Sequence, residues 1–295
     1  MQIELLELRR GFEEAGFVID EDDLNVVFLA LRLEKPLLVS GPPGVGKTDL
    51  AKALSRICNA RLIRLQCHEG LDETKALYDW NFQRQLVKIH LDARGGSVRE
   101  DDLFTLSNVL QRPLLQAITA NDPVVLLIDE IDRSDPDFEA FLLEVLSDFQ
   151  VSVPEIGTIK AVRKPIVIIT NNGERELSEA LRRRCVFLYL NFPTIEQEAS
   201  IIKIKTSGVL DGLREEIALT VAKTRDAGYH PVPGAGEDLD WARALFLLDA
   251  DHYRKEYVDK TLDRLAENKE NLLSFQEYMQ NSSGKVGVKQ EKEPE

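Results

Sequence analysis

The sequence predicts an α/β protein in which a five-stranded parallel sheet lies between helices and is followed by a smaller all-helical domain. Five short apolar segments, at residues 36–40, 61–67, 124–128, 165–170 and 186–190, have the length of buried strands. Helical patterns separate these segments, as a parallel sheet covered by helices requires. After residue 194 the pattern is helical, without a convincing strand. We therefore predict a core at residues 1–193, a helical domain at 194–280 and a disordered polar tail at 281–295.

Composition places this chain of 295 residues among ordinary soluble proteins, with 43% hydrophobic and 30% charged residues. No apolar run is long enough to span a bilayer, and the acidic, amphipathic opening segment does not resemble a signal peptide. The net charge of −14 disfavours non-specific binding to nucleic acid. The chain has three widely spaced cysteines and four histidines without ligand spacing, so we expect reduced thiols and no zinc site. We expect a cytoplasmic location, with peripheral attachment to the cytoplasmic face of a membrane left open.

The segment GPPGVGKT lies between the first predicted strand and a helical pattern, and it fits the phosphate-loop motif Gly-x-x-x-x-Gly-Lys-Thr. Backbone N–H groups of such a loop, and the start of the helix after it, bind the phosphates of a nucleotide. Lys47 is predicted to neutralise the β and γ phosphates of ATP, and Thr48 to ligate Mg²⁺. The predicted nucleotide-binding residues are Gly41, Pro42, Pro43, Gly44, Val45, Gly46, Lys47, Thr48 and Asp49.

Two carboxylates end the third predicted strand, at the sheet edge where ligands of α/β proteins bind. Asp129 is predicted to hold Mg²⁺ through water, and Glu130 to polarise the water that attacks the γ phosphate. An acidic pair after an apolar strand is common in loops, so this prediction depends on its combination with the phosphate loop.

The fourth predicted strand ends in two amides, of which we favour Asn172 over Asn171 as a residue that senses the γ phosphate. The alternative is an ordinary Asn-Gly turn. Before the fifth strand, the segment ALRRRC places three arginines at the end of a helix. One cation there is explained by the helix dipole, whereas three suggest that an arginine reaches a nucleotide bound by a neighbouring subunit.

The segments GPPGVGKT, LLIDEID, IITNNGER and ALRRRC occur in the order found in AAA+ ATPases, and the chain resembles the MoxR branch of that family. Within the branch, RLQCHEGLDETKALYDWNFQRQL and FEAFLLEVLSDFQVSVPEIGTI are similar to the CoxD group, the ATPases encoded beside molybdenum and copper carbon monoxide dehydrogenase. The resemblance implies a homohexameric ring with ATP bound between subunits, and an all-helical lid. It also implies an arginine finger at Arg184, assisted by Arg183. Where relatives carry a sensor arginine in the lid, this chain has Gly236, for which Arg243 is a candidate substitute.

Two further segments bear on what the ATP is used for. Tyr78, Trp80 and Phe82 occupy alternate positions and are predicted to share one face of an extended hairpin, either packed on the core or exposed to a protein partner. The segment SDPDFEAFLLEVLSDF is predicted to form a helix that begins near Asp135 and Pro136 and packs its apolar face on the core. The alternating segment after it is predicted to form a second hairpin.

The function that these observations predict is that of an ATP-driven remodelling chaperone. The resemblance implies a metalloenzyme client, carbon monoxide dehydrogenase, and an adaptor of the von Willebrand type. Two alternatives remain open, a DNA-associated AAA+ motor and a nucleotide-gated scaffold with little turnover. The acidic charge disfavours the motor, and Glu130 disfavours the scaffold.

Overall fold

The computed structural model describes residues 3–92, 104–154, 156–206, 217–219 and 222. Contacts between Cα atoms divide the chain into two units, Met1–Asn191 and Phe192–Glu295. The predicted tail and both lid positions named above, Gly236 and Arg243, lie outside the described residues.

The strands of the described residues are, in chain order, β1 Leu37–Ser40, β2 Arg61–Gln66, β3 Tyr78–Trp80, β4 Val109–Gln111, β5 Val124–Asp129, β6 Gln150–Val153, β7 Gly157–Lys160, β8 Ile166–Asn171 and β9 Val186–Tyr189. Five of them form the main sheet in the order β2-β5-β8-β1-β9, and all four pairings are parallel. These are the five segments that the sequence predicts as strands. The remaining strands form two antiparallel pairs, β3 with β4 and β6 with β7.

The α-helices of the described residues include α1 Leu5–Ala15, α2 Glu21–Leu33, α3 Lys47–Ile57, α4 Glu73–Ala76, α5 Phe82–Asp92, α6 Pro113–Ile118, α7 Pro136–Asp148, α8 Glu179–Arg184 and α9 Ile195–Lys205. Several begin at a residue whose side chain accepts a hydrogen bond from the first turn, as Asp20 does from the backbone N–H of Asp23 at 2.8 Å. Thr194 and Gln197 form a reciprocal capping box at the start of α9. No helix in the described part of the chain is long and apolar enough to cross a membrane.

The hydrophobic core covers the main sheet because strand side chains alternate between its two faces. On one face, buried residues of β2, β5 and β8 pack with α6 and α7. On the other side of the sheet, α3 contacts β2, β5 and β8, and α1 packs against α3. The sheet therefore lies between helices, as the sequence predicts.

The apolar helix α7 and the hairpin β6–β7 after it are confirmed. Asp135 occupies the position before the helix and Pro136 its first turn, although the Asp135 side chain makes no capping hydrogen bond. The predicted apolar face packs on the core, with Phe138 and Leu142 buried and Phe141 half-buried. The chain then reverses at Phe149, which has the left-handed conformation with φ 50°.

The prediction that Tyr78, Trp80 and Phe82 share one face of an extended hairpin is wrong for Phe82. Phe82 begins helix α5, because the side chain of Asn81 accepts a hydrogen bond from the backbone N–H of Arg84 at 3.0 Å and caps the helix there. Tyr78 and Trp80 lie on β3, are half-buried and pack against the hydrophobic core. Phe82 is 64% exposed. The two strand aromatics are therefore structural, and the exposed aromatic lies on a helix.

Candidate functional site

Strands β1, β5 and β8 are neighbours in the sheet, so their carboxyl ends meet at one edge. The loop from Gly41 to Gly46 leaves β1 and leads directly into α3. Asp129 ends β5, and Asn171 ends β8. The adjacent strands thus bring the loop, the acidic pair and the two amides to the same edge, where ligands of parallel α/β sheets bind.

Two glycines of the loop are required by its geometry. A Cβ atom on Gly41 would lie 2.3 Å from the backbone oxygen of Leu190, which is closer than any side chain can approach. Gly46 has φ 99° and directly precedes α3, a conformation that is costly for residues with a side chain. The loop is therefore shaped by contacts with the chain after β9 and with α3, and its peptide N–H groups lie at the start of a helix, where anions bind.

Lys47 is 6% exposed, and its Nζ atom donates hydrogen bonds to the backbone oxygens of Gly41 at 2.6 Å and Pro42 at 2.7 Å. Burial lowers the pKa of the Lys47 ammonium, while the nearby carboxylates of Asp132, Asp129 and Glu130 oppose that shift. The ammonium group is thus held inside the phosphate loop by the loop's own carbonyl oxygens.

Asp129 is 2% exposed and has hydrogen-bonding partners on both carboxylate oxygens. Thr170 donates to its Oδ1 atom at 2.5 Å, and Arg64 donates from Nε to its Oδ2 atom at 2.9 Å. The hydroxyl of Thr48 lies 3.3 Å from each of the two oxygens. A hydroxyl and a carboxylate that converge in this way are hard oxygen donors that suit Mg²⁺ and its water ligands, so the residues present fit the predicted metal.

Glu130 has a left-handed backbone, with φ 57° and ψ 54°, which is strained for a residue with a side chain. Its backbone N–H donates to the Thr170 hydroxyl at 2.8 Å, which holds it in this conformation. Its carboxylate accepts a hydrogen bond from Gln66 Nε2 at 2.8 Å and lies 3.0 Å from Arg133 Nη1. Glu130 thus points away from the sheet core and is partly open to solvent.

Of the two amides, Asn172 is the one that faces Glu130. Its Nδ2 atom lies 3.5 Å from Glu130 Oε1, a distance at the limit of a hydrogen bond. Its backbone N–H donates to Asp132 at 3.1 Å. Asn171 instead donates from Nδ2 to the Ser40 hydroxyl at 3.1 Å, so its side chain is used between β8 and β1. Asn172 is therefore the amide whose side chain lies beside Glu130, and its sensor role stays a prediction.

The three arginines of α8 contact their own surroundings. Arg182 pairs with Glu176 at 3.2 Å and Arg183 with Glu179 at 2.5 Å. Arg184 donates from Nη1 to the backbone oxygen of Leu143 at 2.6 Å and also to the Ser147 hydroxyl. These contacts tie the end of α8 to its own first turn, to Glu176 in the segment before it and to α7. They do not bring the arginines to the phosphate loop of the same chain.

Sequence analysis does not identify five residues of the site: Arg64, Gln66, Asp132, Arg133 and Thr170. Arg64 and Gln66 are polar residues at alternate positions of β2, and register places Gln66 beside Asp129. The alternation in RLIRLQ indicates that Arg64 and Gln66 share one face of a strand, but it does not indicate which strand lies beside β2. Asp132 is buried and accepts hydrogen bonds from the backbone N–H groups of Asn172 and Glu174.

The cysteines offer no reactive or metal-binding thiol among the described residues. All three are free. Burial raises the pKa of the Cys67 thiol to about 12, with further contributions from Asp129 and Asp132. Burial likewise raises the pKa of Cys58 to about 11 and of Cys185 to about 12. The described residues contain no cluster of three or more His, Cys, Asp or Glu that could hold a metal by itself.

Comparison with known proteins identifies the family. The family model described as "ATPase family associated with various cellular activities (AAA)" matches residues 37–192, which is more than half of the chain. The chain belongs to the AAA ATPase family. This match covers the phosphate loop, the acidic pair and all five strands of the main sheet, and it confirms both the predicted fold and the predicted class of enzyme, a P-loop ATPase.

The curated relatives match over a limited part of their length. A Lon protease from Cytophaga hutchinsonii is 28% identical over 61% of this chain and 20% of its own length. A chloroplastic chaperone protein ClpD1 from Oryza sativa subsp. japonica is 25% identical over 60% of this chain and 17% of its own length. The chain thus spans about a fifth of the length of each of these two relatives.

Solved structures of Thermotoga maritima RuvB share the fold. A point mutant of that protein has a TM-score of 0.53 and 21% identity, and the match covers 86% of this chain and 73% of the mutant. The structure described as the RuvB Holliday junction branch migration motor has a TM-score of 0.51 and 20% identity, over 86% of this chain and 72% of that protein. Identities this low show a common fold and nothing more.

Proposed function

We propose that this AAA ATPase is a remodelling chaperone of the MoxR branch that uses ATP hydrolysis to assist the maturation of a client metalloenzyme. The observation that carries the ATPase part of the proposal is the convergence of Lys47, Thr48, Asp129, Glu130 and Asn172 at one edge of the sheet. The metalloenzyme part rests on the sequence resemblance to the CoxD group.

Within the nucleotide site, each side chain has a role that its position supports. Lys47 is already oriented into the loop and would exchange its carbonyl partners for the β and γ phosphates. Mg²⁺, when bound with ATP, neutralises charge on the phosphates. Thr48 and Asp129 would hold the metal and its water ligands.

Glu130 is the proposed general base, since it is the member of the acidic pair whose carboxylate is not buried. It would accept a proton from the attacking water while Asn172, 3.5 Å from its Oε1 atom, orients that water or contacts the γ phosphate. Gln66 shares the Glu130 carboxylate at 2.8 Å and would have to release it for catalysis.

The oligomer that we propose is a ring of identical subunits, a homohexamer in the resemblance, with ATP between neighbours. The contacts of Arg184 with α7 of its own chain leave it on the surface, where it is exposed. An arginine in that place can reach the nucleotide of an adjacent subunit, so Arg184, assisted by Arg183, is the proposed arginine finger.

The client in this proposal is carbon monoxide dehydrogenase, assisted by a von Willebrand type adaptor. The work would be to open the folded but metal-incomplete enzyme so that sulfur and copper reach a buried molybdenum centre. A close-packed interior opens by itself too rarely, whereas a ring coupled to hydrolysis can apply free energy repeatedly. The candidate surface is helix α5, on which Phe82 is 64%, Leu86 55% and Val87 57% exposed.

Replacement of Glu130 tests the ATPase part directly. Glu130→Gln should bind MgATP as the wild type does and lose most of its turnover, because the carboxylate acts on water and not on nucleotide affinity. Lys47→Ala should lose binding as well. An assay with and without DNA separates the chaperone from a DNA motor, whose turnover DNA would stimulate. A near wild-type rate in Glu130→Gln would refute the assignment of the base.

The client part is tested in cells that make the dehydrogenase. We expect cells that make only the double variant Phe82→Ser/Leu86→Ser to accumulate dehydrogenase that contains molybdenum cofactor but lacks copper and activity. The purified double variant should keep its basal ATPase activity. Leu29→Ser is the control, because Leu29 is similarly exposed, at 51%, but lies on α2 and not on α5. Fully active dehydrogenase in cells without this protein would rule the client out.

A further inference from the structure

Arg64 forms the most direct cationic contact with the acidic pair of the nucleotide site. It lies on β2, two residues before Gln66, so both side chains share the face of the sheet on which Asp129 lies. Its Nε atom donates to Asp129 Oδ2 at 2.9 Å, and its Nη2 atom lies 2.6 Å from the same oxygen. The guanidinium therefore holds one carboxylate oxygen with two of its nitrogens.

The same guanidinium is linked to the carboxylate of Glu130 through the side chain of Gln66. Arg64 Nη2 also donates to Gln66 Oε1 at 2.5 Å, and Gln66 Nε2 donates to Glu130 Oε2 at 2.8 Å. Arg64 is thus linked to both members of the acidic pair, directly to Asp129 and through one amide to Glu130. These side-chain contacts are made in addition to the backbone pairing of β2 with β5.

The position of this cation has an electrostatic consequence for the metal. Asp129 is almost completely buried, so its negative charge requires a nearby positive partner. Arg64 supplies this positive charge from the same chain. Mg²⁺ bound at Thr48 and Asp129 would supply a second positive charge to the same carboxylate. Both cations would then contact the same carboxylate and would repel each other.

We propose that Arg64 is the resident counter-cation of the metal site and sets how much Mg²⁺ is needed for nucleotide binding. This inference rests on the proposed function, because it concerns the same ATP site. While Arg64 is paired with Asp129, the positive charge of its guanidinium weakens the binding of Mg²⁺. The metal therefore binds only together with nucleotide, because the phosphates add negative charge to the site. Arg64 acts through Asp129 and is a positioning residue.

The test is the Mg²⁺ concentration at which a fluorescent ATP analogue is half bound, at constant ionic strength and with the full chain. Arg64→Gln removes the charge but keeps an amide that can donate to Asp129. Repulsion between a half-exposed guanidinium and a divalent ion that would be held by the same carboxylate corresponds to about fivefold in affinity. Arg64→Gln should therefore need about fivefold less Mg²⁺. Thermal unfolding should show a correspondingly larger stabilisation by Mg²⁺ with nucleotide than in the wild type.

Two further variants complete the test. Arg61→Gln removes the same charge from an exposed position on the same strand and should leave the Mg²⁺ requirement unchanged. Arg64→Lys keeps the positive charge but cannot contact Asp129 with two nitrogens. It should therefore need nearly as much Mg²⁺ as the wild type, about twofold less. If Arg64→Gln did not fold, as judged by circular dichroism, the decrease in Arg64→Lys would carry the test.

An unchanged or higher Mg²⁺ requirement in the Arg64 variants would overturn the inference. If the folded Arg64 variants needed as much Mg²⁺ as the wild type, or more, Arg64 would be a structural partner of Asp129 that helps the metal to bind, and the inference would be overturned. A wild-type chain that bound no ATP analogue at any Mg²⁺ concentration would instead contradict the proposed ATP site itself. The wild-type titration thus separates failure of the inference from failure of the function.

Discussion

Thr170 holds both members of the acidic pair with a single hydroxyl group. It is completely buried, donates to Asp129 Oδ1 at 2.5 Å and accepts a hydrogen bond from the backbone N–H of Glu130 at 2.8 Å. Thr170→Val removes that hydroxyl and keeps almost the same volume. The change therefore isolates the two hydrogen bonds from packing.

The two hydrogen bonds of the Thr170 hydroxyl set how much stability Thr170→Val should lose. Loss of a hydrogen bond to a buried carboxylate costs about 2 kcal/mol, and the part-buried N–H of Glu130 left without its partner costs about 1 kcal/mol more. Thr170→Val should thus lower the free energy of unfolding by about 3 kcal/mol, and the melting temperature by about 6–12 °C. Turnover should fall by about tenfold, because the strained backbone of Glu130 loses the group that positions it.

Thr170→Ser is the matched control for this prediction. It keeps the hydroxyl and loses one methyl group, which costs about 1 kcal/mol of stability. Denaturant unfolding and steady-state ATPase assays on the wild type and both variants give the comparison. If Thr170→Val were as stable and as active as Thr170→Ser, the hydroxyl would not be holding the acidic pair, and the argument would be refuted.

Two other predictions concern the subunit interface and the dependence of stability on pH. If Arg184 acts across an interface, mixing inactive Arg184→Ala with inactive Lys47→Ala should restore up to about a quarter of wild-type hydrolysis, the share of interfaces in randomly mixed rings that has both groups. No recovery in rings shown to have mixed would make Arg184 a structural residue. Burial, followed by repulsion from two neighbouring carboxylates, raises the pKa of Asp23 to about 6. The native state therefore holds this proton more tightly than the unfolded state, and stability falls as pH rises from about 4 to 6. Asp23→Asn should raise stability at pH 7 by about 1 kcal/mol, after allowance for solvent screening, and by progressively less below pH 6. Melting curves of both proteins from pH 4 to 8 check this, and a difference that does not change with pH would contradict it.

The phosphate loop and the acidic pair could be predicted from sequence because their chemistry depends on local spacing. In Gly41 to Thr48, the glycines, the lysine and the hydroxyl follow one another along a single turn of chain. Asp129 and Glu130 lie at the end of an apolar strand. Arg64, Gln66 and Thr170 could not be placed in this way, because their contacts depend on which strands lie beside β5.

The aromatic segment shows the limit of a pattern with period two. Tyr78, Trp80 and Phe82 alternate in the sequence, but the capping hydrogen bond from Arg84 to Asn81 starts a helix between the second aromatic and the third. Alternation alone cannot locate that boundary, since the residues after Asn81 also fit a helical pattern. Phe82 consequently lies exposed on α5, whereas the sequence pattern predicted that it shares a strand face with Tyr78 and Trp80.

The amino-acid sequence by itself determined the five strands, the phosphate loop and the acidic pair, because hydrophobic periodicity and motif spacing act over a few residues. Only the tertiary structure decided the order β2-β5-β8-β1-β9, and with it the neighbours of each carboxylate. Arg64 reaches Asp129 across 65 residues of sequence, and Thr170 reaches it across 41. Contacts over such separations follow from the packing of the whole sheet, in which every strand must bury its apolar face at once.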